Sequence, residues 1–581
     1  MKKQNRNLWI WTSVFFAFFW AYPGLIDHGV KNVALRFGMN AILLALVLYP
    51  LFRFGVKLKS WLLGQRWFKS LFLYKGNRTV NRAIFWGIFA LYVIVWTGVL
   101  FVLYPGTFGA DAPIQLGMFN GDRAFTTHHP WLHTLIVGGM INGADALFGN
   151  ADIGVFLYIL IFQICFCAWA IASSLAYLNE KGLSPLVTIL MAIIMVCNPL
   201  NMVLVCYTTK DIVFAPALLM FILAVCRLLY PANREENSAK TARNTLVGRT
   251  ATVVFWGVVM CMLRNQGLYM VAAALVVFAF VFLRQYRKAK IRAFMLSQVL
   301  VLVLGWVMTS AIPSAAGIKI SNPREMLPVP IQQIAYVLNH SDNAEEKFVD
   351  EKLYDEALEW FDGFTPDKID KFSADNAKDV FKNEKFTENP MAFVQMYLKF
   401  LSLDLGGAIQ AYAHLTAPYL DMRVSPYTPL AFMTSYDDYA KAHGITTTDR
   451  KQSKAFEWLH DTMFSTWPAQ NCPLYLRFYD PGLVLYLLIF MLGWCIFRKS
   501  PFVLSVSLFT ILYVLTMLLG PVSLLRYSFV YAIQWPFLFG ALLLDLFRPK
   551  KNSSKRRKRK AEKNYENNDA EEAGTPAAIK A

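Results

Sequence analysis

Residues 153–178 read IGVFLYILIFQICFCAWAIASSLAYL, an apolar run without a charged residue. The hydrocarbon core of a bilayer is about 30 Å thick and is crossed by about 20 apolar residues in a helix, so this run is long enough to span it. The runs Leu8–Ile26 and Phe529–Leu546 are similarly apolar. Charged residues gather between such runs, which predicts an all-α polytopic membrane protein.

Eleven or twelve runs have this character, and they are the predicted membrane spans. They lie at about 8–26, 33–51, 83–104, 153–178, 185–205, 211–229, 251–264, 267–283, 293–311, 481–497, 501–519 and 527–547. Hydrophobic residues make up 56% of the chain and charged residues 17%, which excludes an ordinary soluble globular protein. Most of the eight cysteines lie inside the apolar runs, which indicates packing rather than a disulfide framework.

The basic residues predict which side of the membrane each connection occupies. Lys2, Lys3 and Arg6 precede the first run, so the positive-inside rule places the N-terminus in the cytoplasm. Because successive spans cross in alternating directions, the basic connections and the C-terminus are also expected in the cytoplasm. The protein is expected to lie in the cell membrane. The helical stretch 131–148 is expected to lie in the outer interface, because a further crossing would turn the later basic loops outward.

Four parts follow from this topology. They are an N-terminal transmembrane domain, 1–311, with a first outer loop at 105–152; an extracytoplasmic, mainly helical domain, 312–480; C-terminal transmembrane helices, 481–547; and a basic cytoplasmic tail, 548–581, of disordered character. The outer domain holds 24 acidic against 16 basic residues. Nine of the thirteen residues 548–560 are basic, which favours attraction to anionic lipid headgroups over nucleic-acid binding.

The first outer loop contains an acid followed by paired histidines. Its candidate site residues are Asp111, Gln115, Asp122, His128 and His129. Carboxylates and imidazoles offer lone pairs at neutral pH, so they can act as base and orienting group. The same lone pairs leave a divalent metal on Asp111 and His129 possible, and no other cofactor is predicted. In the structural alternative, Asp111 caps a short helix that begins at Pro113.

Later outer connections add charged residues at the span boundaries. These candidates are Lys210, Asp211, Arg264, Gln266 and Arg526. Charges at such depth tend to face the protein interior, pair or meet a ligand. Three cations beside a carboxylate loop suggest an anionic substrate such as a phosphate or diphosphate. The alternatives are an ion pair between Lys210 and Asp211, a helix cap by Asp211, and snorkelling of Arg526 to lipid headgroups.

These features resemble the GT-C superfamily of membrane glycosyltransferases, which use polyprenyl-phosphate-linked sugars. The resemblance rests on Gly109-Ala-Asp111, on His128-His129-Pro130 and on the late extracytoplasmic domain. It implies a GT-C-like architecture with Asp111 as catalytic base or metal ligand. It also implies a lipid phosphate held by Lys210, Arg264 or Arg526, with His128 or His129 as a hydrogen-bonding partner.

The resemblance implies transfer of a sugar from a polyprenyl-phosphate donor to an extracytoplasmic glycan, lipid or protein, with membrane lipids as further partners. A transporter or flippase of a lipid-linked or anionic solute is the alternative. A transporter should place polar residues near the middle of the bilayer, whereas here they concentrate at the outer face. A non-catalytic assembly or sensor protein on the same scaffold is a third class, because fold alone does not determine function.

Overall fold

The computed structural model describes residues 3–62, 64–109, 111–231, 239–319, 323–340, 353–363, 369–421, 438–445, 453–458 and 481–547. Within these ranges the chain is helical, and its β-bridges are isolated pairs that form no strand. The prediction of an all-α polytopic membrane protein is confirmed. The basic tail, 548–581, lies outside the described residues.

The helices up to residue 315 are α1 (Lys3–Leu62), α2 (Arg66–Phe72), α3 (Arg78–Val102), α4 (Asp111–Asn120), α5 (Trp131–Phe148), α6 (Ala151–Tyr158), α7 (Phe166–Glu180), α8 (Pro185–Val196), α9 (Pro199–Leu204), α10 (Lys210–Leu229), α11 (Ala239–Leu263), α12 (Gln266–Phe282), α13 (Ala289–Trp306) and α14 (Ile312–Ala315). Short π-helical segments, Ile159–Cys165 and Val307–Ala311, continue α6 and α13.

The domain 312–480, which keeps the name outer domain from its predicted side, contains α15 (Pro328–His340), α16 (Leu353–Leu358), α17 (Asp375–Asp379), α18 (Asn383–Glu388), α19 (Pro390–Leu403), α20 (Leu405–Leu420) and α21 (Asp438–Ala442). The last helices are α22 (Pro481–Arg498), α23 (Pro501–Met517), α24 (Leu525–Ala532) and α25 (Trp535–Phe547). Several of these starts carry a polar cap followed by proline, as at Asn389-Pro390 and Ser500-Pro501. Proline suits a first helical position, because its missing N–H would have no partner there.

Nine helical runs of the described chain are long and apolar enough to cross a membrane. They are Arg6–Asp27, Gly38–Leu62, Arg78–Val102, Ala151–Glu180, Lys210–Leu229, Thr241–Leu263, Gln266–Gln285, Ala289–Ala315 and Leu525–Phe547. Three shorter apolar helices, Pro185–Val196, Gly482–Arg498 and Pro501–Met517, coincide with the remaining predicted spans. The protein is therefore multi-pass.

Helix α1 contains the first two spans and folds back on itself. The rings of Trp9 and Tyr49 lie 4.9 Å apart. In an unbent helix, forty residues at 1.5 Å each would separate them by about 60 Å. The chain therefore reverses direction between Arg6–Asp27 and Gly38–Leu62, so the two spans form an antiparallel pair.

The span ends gather on two faces of the helix bundle. The first, called the site face, carries Asp111, Lys210, Arg264 and Arg526, which share ion pairs. The second, called the opposite face, is marked by contacts of Leu73 with Leu183, Phe72 with Phe547 and Lys290 with Leu229. Successive spans thus run in alternating directions, in agreement with the alternation that the basic loops predict.

Helix α5 is not one of the candidate spans. It packs antiparallel to α6, with His133 near its start against Tyr158 and with Ile141 against Gly154. The run Ala151–Glu180 has 30 residues, about 45 Å of helix, which exceeds a bilayer core of about 30 Å. Helix α5 lies beside the N-terminal part of this run, and its place in the outer interface stays a prediction.

The outer domain has a core of its own. Its buried members include Ile331, Trp360, Phe381, Phe393, Met396 and Phe400. The domain rests on the site face through backbone contacts: Thr127 N–H donates to Lys319 O at 2.9 Å, and Ala374 N–H donates to Pro521 O at 2.7 Å. Helix α20 also meets α1, because Tyr22 Oη donates to Ala413 O at 2.8 Å.

Candidate active site

Asp111 lies between two cations that come from distant parts of the chain. It is the first residue of α4, Lys210 is the first residue of α10, and Arg526 stands in the first turn of α24. Lys210 Nζ is 3.1 Å from Asp111 Oδ2, and Arg526 Nη2 is 3.6 Å from Asp111 Oδ1. Both carboxylate oxygens therefore face a positive charge.

Asp211 is the buried carboxylate of the cluster, and its side chain has no exposed surface. Arg264 Nη1 is 2.5 Å from its Oδ1, and Arg526 Nε is 3.4 Å from its Oδ2. Thr209 Oγ1 also donates to Oδ2 at 3.3 Å. Asp211 thus holds two guanidinium groups in place.

Three of the structural alternatives for the starts of α4 and α10 are wrong. Lys210 forms its ion pair with Asp111 and not with the neighbouring Asp211. The side chain that caps α10 belongs to Thr209, which accepts the Asp211 N–H. Helix α4 begins at Asp111 itself rather than at Pro113. The charged side chains of both helix starts therefore point to the cluster.

Arg264 occupies the tight turn between α11 and α12. Its Nε donates to Gln266 Oε1 at 2.6 Å, and its Nη1 donates to Tyr513 Oη at 3.0 Å. The Tyr527 ring centroid is 4.8 Å from its Cζ. Burial alone would lower the pKa of Arg264, but Asp211 raises it above the ordinary value. Arg264 is a fixed positive charge, and Gln266 helps to orient it.

Local backbone contacts bring the starts of α4 and α10 together. Thr107 N–H donates to Cys206 O at 2.9 Å, and Thr208 N–H donates to Thr107 O at 2.8 Å. From the π-helical segment, Gln163 Nε2 donates to Val205 O at 2.6 Å and anchors the same loop. π-Helical segments recur near functional sites.

Gly106 permits the close approach of these two loops. Its φ is +117°, a conformation that side chains rarely adopt, and a Cβ there would collide with the side chain of Ile159. A larger residue at this position would push the loop that leads to Asp111 away from the π-helical segment Ile159–Cys165.

His129 adds a neutral group to the cluster. It is buried, and its Nδ1 lies 3.4 Å from Lys210 Nζ. Burial and the charge of Lys210 lower the pKa of His129 to about 3, so the ring is an uncharged acceptor at neutral pH. His128 is exposed, and its ring centroid is 4.7 Å from that of His129, so it borders the cluster without an ion pair to Asp111.

Gln115 and Asp122 are not brought to the cluster. Gln115 is buried, with its Oε1 3.0 Å from His133 Nδ1 and its Nε2 donating to Thr134 Oγ1 at 3.2 Å. Asp122 is exposed and accepts a hydrogen bond from Tyr439 in α21. Gln115 holds α4 to α5, and Asp122 joins the loop 105–152 to the domain 312–480, so their role in substrate binding stays a prediction.

Several site residues escaped the sequence reasoning. Tyr513 sits within an apolar span, where a lone tyrosine resembles any other packing residue, yet it contacts Arg264. Tyr207 lies beside Arg526, and burial raises the pKa of Tyr207 to about 12. His133 Nε2 is 2.6 Å from Tyr158 Oη, and burial lowers the pKa of His133 to about 3. Only Tyr527 had a signal, its position next to Arg526.

The cluster has a net charge of +1, because Lys210, Arg264 and Arg526 outnumber Asp111 and Asp211 by one. Burial alone would raise the pKa of the Asp111 carboxyl, but Arg526 and Lys210 hold it well below its usual range. Among the ion-paired side chains, Asp111 is 17% exposed and Lys210 13%, against 0% for Asp211. Asp111 and Lys210 thus form the accessible side.

The donor set suits an anion better than a metal ion. Within the described ranges, no three His, Cys, Asp or Glu side chains come together as metal ligands. Asp111 and His129, the pair considered for a metal, both contact the ammonium of Lys210, whose charge would repel a divalent cation.

Comparison with family models matches residues 120–563 to DUF6020, a family of unknown function. Neither the curated proteins nor the solved structures include a match to this chain. The matched range contains four of the five ion-paired residues of the cluster, Lys210, Asp211, Arg264 and Arg526, whereas Asp111 precedes it. Because the match covers more than half of the sequence, the chain belongs to the DUF6020 family of unknown function.

Proposed function

We propose that this protein is a GT-C type glycosyltransferase of the cell membrane. It moves a sugar from a polyprenyl-phosphate-linked donor to an extracytoplasmic acceptor, which is a cell-wall glycan, a lipid or a protein. The observation that carries the proposal is the buried cluster of three cations and two carboxylates at one face of a membrane helix bundle.

The net charge of the cluster favours a phosphate ligand. A polyprenyl-phosphate sugar is a phosphodiester with one negative charge, so its complex with a site of charge +1 is neutral. Lys210 and Arg526 are the cations that share Asp111 at the accessible side, and charge-assisted contacts from such groups to phosphate are strong. Arg264 supports this arrangement from behind, through Asp211.

The position of the cluster favours a phosphate that is attached to a lipid. Lys210 begins the span Lys210–Leu229, and Arg526 lies in the first turn of the span Leu525–Phe547. The phosphate of a polyprenyl lipid resides at the headgroup level, where these spans end. Its chain can stay in the hydrocarbon region, so no charge has to enter the bilayer core.

Asp111 needs the donor in order to act as a base. A carboxylate with a strongly lowered pKa accepts protons poorly, because effective general bases have a pKa near the working pH. A donor phosphate attracts Lys210 and Arg526, which are the partners of Asp111 in the structure. Donor binding therefore raises the proton affinity of Asp111 at the moment when a base is required.

The proposed reaction is a single displacement. The oxygen of an acceptor hydroxyl attacks the anomeric carbon, and its proton passes to Asp111. The bond from the anomeric carbon to the phosphate oxygen breaks, and its electron pair remains on the phosphate. The cations of the cluster stabilise this developing charge, and one well-placed donor in such a site contributes about 3 to 4 kcal/mol.

The orientation follows from the basic loops. Lys2, Lys3 and Arg6 precede the first span, and the segment 548–560 follows the last one. Under the positive-inside rule both termini are cytoplasmic, and the site face is extracytoplasmic. The acidic outer domain, which is attached to the site face, then lies on the side from which the acceptor arrives.

The test uses the full chain in lipid nanodiscs, a panel of polyprenyl-phosphate sugars and a cell-envelope extract as the source of acceptor. The readout is the release of polyprenyl phosphate, measured by mass spectrometry. We expect Asp111→Asn to lower the release by about 100-fold or more, as for the loss of a general base. Asp145→Asn, the same substitution at an exposed residue of α5, is the matched control and should keep wild-type turnover.

A donor that is cleaved by the wild type and the control, but not by Asp111→Asn, supports the proposal. Equal cleavage by Asp111→Asn would reject Asp111 as the base. If no donor is cleaved and proteoliposomes instead carry the intact lipid between leaflets, the protein is a flippase and the glycosyltransferase proposal fails.

A further inference from the structure

A polar cavity lies near the opposite face, away from Asp111. Its volume is about 520 Å³, within the range of about 300 to 1,000 Å³ that is common for ligand pockets. It opens between α7, α10 and α11. The lining residues are Tyr177, Glu180, Met220, Leu223, Ala224, Arg227, Pro231, Thr245, Gly248, Arg249, Thr252 and Trp256.

Two arginines give the cavity a positive charge. Arg227 lies in the last turn of α10, and Arg249 faces it from α11. In the part of the chain that the structure describes, neither guanidinium forms an ion pair or a hydrogen bond through its side chain. Glu180, which is exposed at the rim, leaves a net charge of +1.

The lining changes from polar to apolar along the helices. On α10, Arg227 is followed toward the bundle interior by Leu223 and Met220, and on α11 Arg249 is followed by Trp256. Arg227 and Met220 are seven residues apart, which corresponds to about 10 Å of helix. The separation of Arg249 and Trp256 is the same. The cavity therefore has a cationic mouth and an apolar end about 10 Å deeper.

We propose that this cavity binds an anionic glycerophospholipid. The phosphate lies between Arg227 and Arg249, and an acyl chain lies along Met220, Leu223 and Trp256. Basic pockets between transmembrane helices are suited to acidic lipid headgroups. A free phosphate would use the cationic mouth but would leave the apolar end without a partner.

Two further features specify the lipid. Val247 and Phe255 of α11 are 61% and 58% exposed, so the helix that carries Arg249 presents apolar side chains to the surrounding bilayer. Glu180 is an acceptor at the rim and suits a headgroup with hydroxyl donors. Phosphatidylglycerol has one negative charge and two such hydroxyls, and its charge balances the +1 of the lining.

The first experiment titrates the delipidated full-length protein with phosphatidylglycerol and follows binding by native mass spectrometry. We expect Arg227→Gln and Arg249→Gln each to weaken binding by about tenfold or more, because each removes a charge-assisted contact. Arg243→Gln is the matched control, since Arg243 is an exposed arginine of α11 outside the cavity lining, and it should bind like the wild type.

The second experiment fills the cavity without removing a charge. A Cβ at Gly248 would meet no atom within 4 Å, so a larger side chain is sterically tolerated there. We expect Gly248→Phe to abolish lipid binding by occupying the mouth, while Gly248→Ala retains it. Unchanged melting temperatures of both variants separate this effect from misfolding.

Four outcomes would overturn the proposal. Equal weakening by Arg243→Gln would show diffuse surface attraction instead of a site. Phosphatidylcholine that binds as tightly as phosphatidylglycerol would remove the requirement for an anionic headgroup. Glycerol phosphate that binds as tightly as the lipid would assign the cavity to a soluble anion. Full binding by Gly248→Phe would place the lipid elsewhere.

Discussion

Replacing Asp211 by asparagine should destabilise the protein more than any other single change in the cluster. The substitution keeps the shape of the side chain but removes the negative charge between Arg264 and Arg526. These arginines are only 7% and 9% exposed, and Asp211 is fully buried. The net charge of the cluster would rise from +1 to +2, and the uncompensated charge would lie on arginines that water hardly reaches.

Breaking a buried ion pair by removal of one partner costs about 3 to 5 kcal/mol, because it leaves an uncompensated buried charge. Asp111 is 17% exposed, so water can partly solvate Lys210 and Arg526 after Asp111→Asn. We therefore expect Asp211→Asn to lower the free energy of unfolding by about 3 to 5 kcal/mol, and Asp111→Asn by clearly less. SDS titration in mixed micelles measures both values.

A double variant tests the cause. If the loss comes from the uncompensated guanidinium of Arg264, then adding Arg264→Gln to Asp211→Asn should recover part of the stability. The control is Asp145→Asn, at an exposed residue of α5. The electrostatic reasoning fails if Asp211→Asn costs no more than this control, or if the double variant is as unstable as the sum of the two single variants.

Three further predictions concern topology, the donor and pH. A cysteine that replaces the exposed Ser402 should be labelled by an impermeant maleimide from outside, and a cysteine that replaces the exposed Ser70 should be labelled only after permeabilisation. The reverse pattern would invert the orientation. Arg526→Gln removes a contact of about 1.5 to 3 kcal/mol and should weaken polyprenyl-phosphate binding in nanodiscs by about 10- to 100-fold; unchanged affinity would leave Arg526 with a structural role. The pKa of His129 falls to about 3 in the folded protein, below its unfolded value, so the unfolded chain takes up the proton first as the pH falls. Acidification from pH 7 to pH 5 should therefore lower the free energy of unfolding by up to about 2 kcal/mol through His129, which lies beside Lys210 and Asp111. His129→Gln should flatten the pH dependence of the unfolding free energy. An equally steep curve for this variant would contradict the lowered pKa of His129.

The sequence by itself determined the spans and which connections share a face. Span length and apolar character are local properties, and the basic loops fix the alternation of direction. For this reason Asp111, Lys210, Arg264 and Arg526 were expected at one membrane face. The structure brings all four into one ion-paired cluster there.

The tertiary structure alone decided which charges pair. Sequence proximity favoured an ion pair between Lys210 and Asp211, but Lys210 meets Asp111, and Asp211 turns to two arginines. These partners are separated by tens to hundreds of residues. Their contact depends on how the helices pack and on where along the bundle axis each helix begins. A local sequence pattern contains neither kind of information.

The same reason applies to residues without a signal of their own. Tyr513 looks like any aromatic residue of an apolar span until α23 packs against the turn that carries Arg264. Gln115 is predicted as a site residue, and helix packing places it against His133, apart from the ion-paired cluster. The cavity of Arg227 and Arg249 likewise exists only between assembled helices. Composition and spacing determined which segments are apolar and long enough to cross a bilayer. Helix packing determined which polar side chains come into contact.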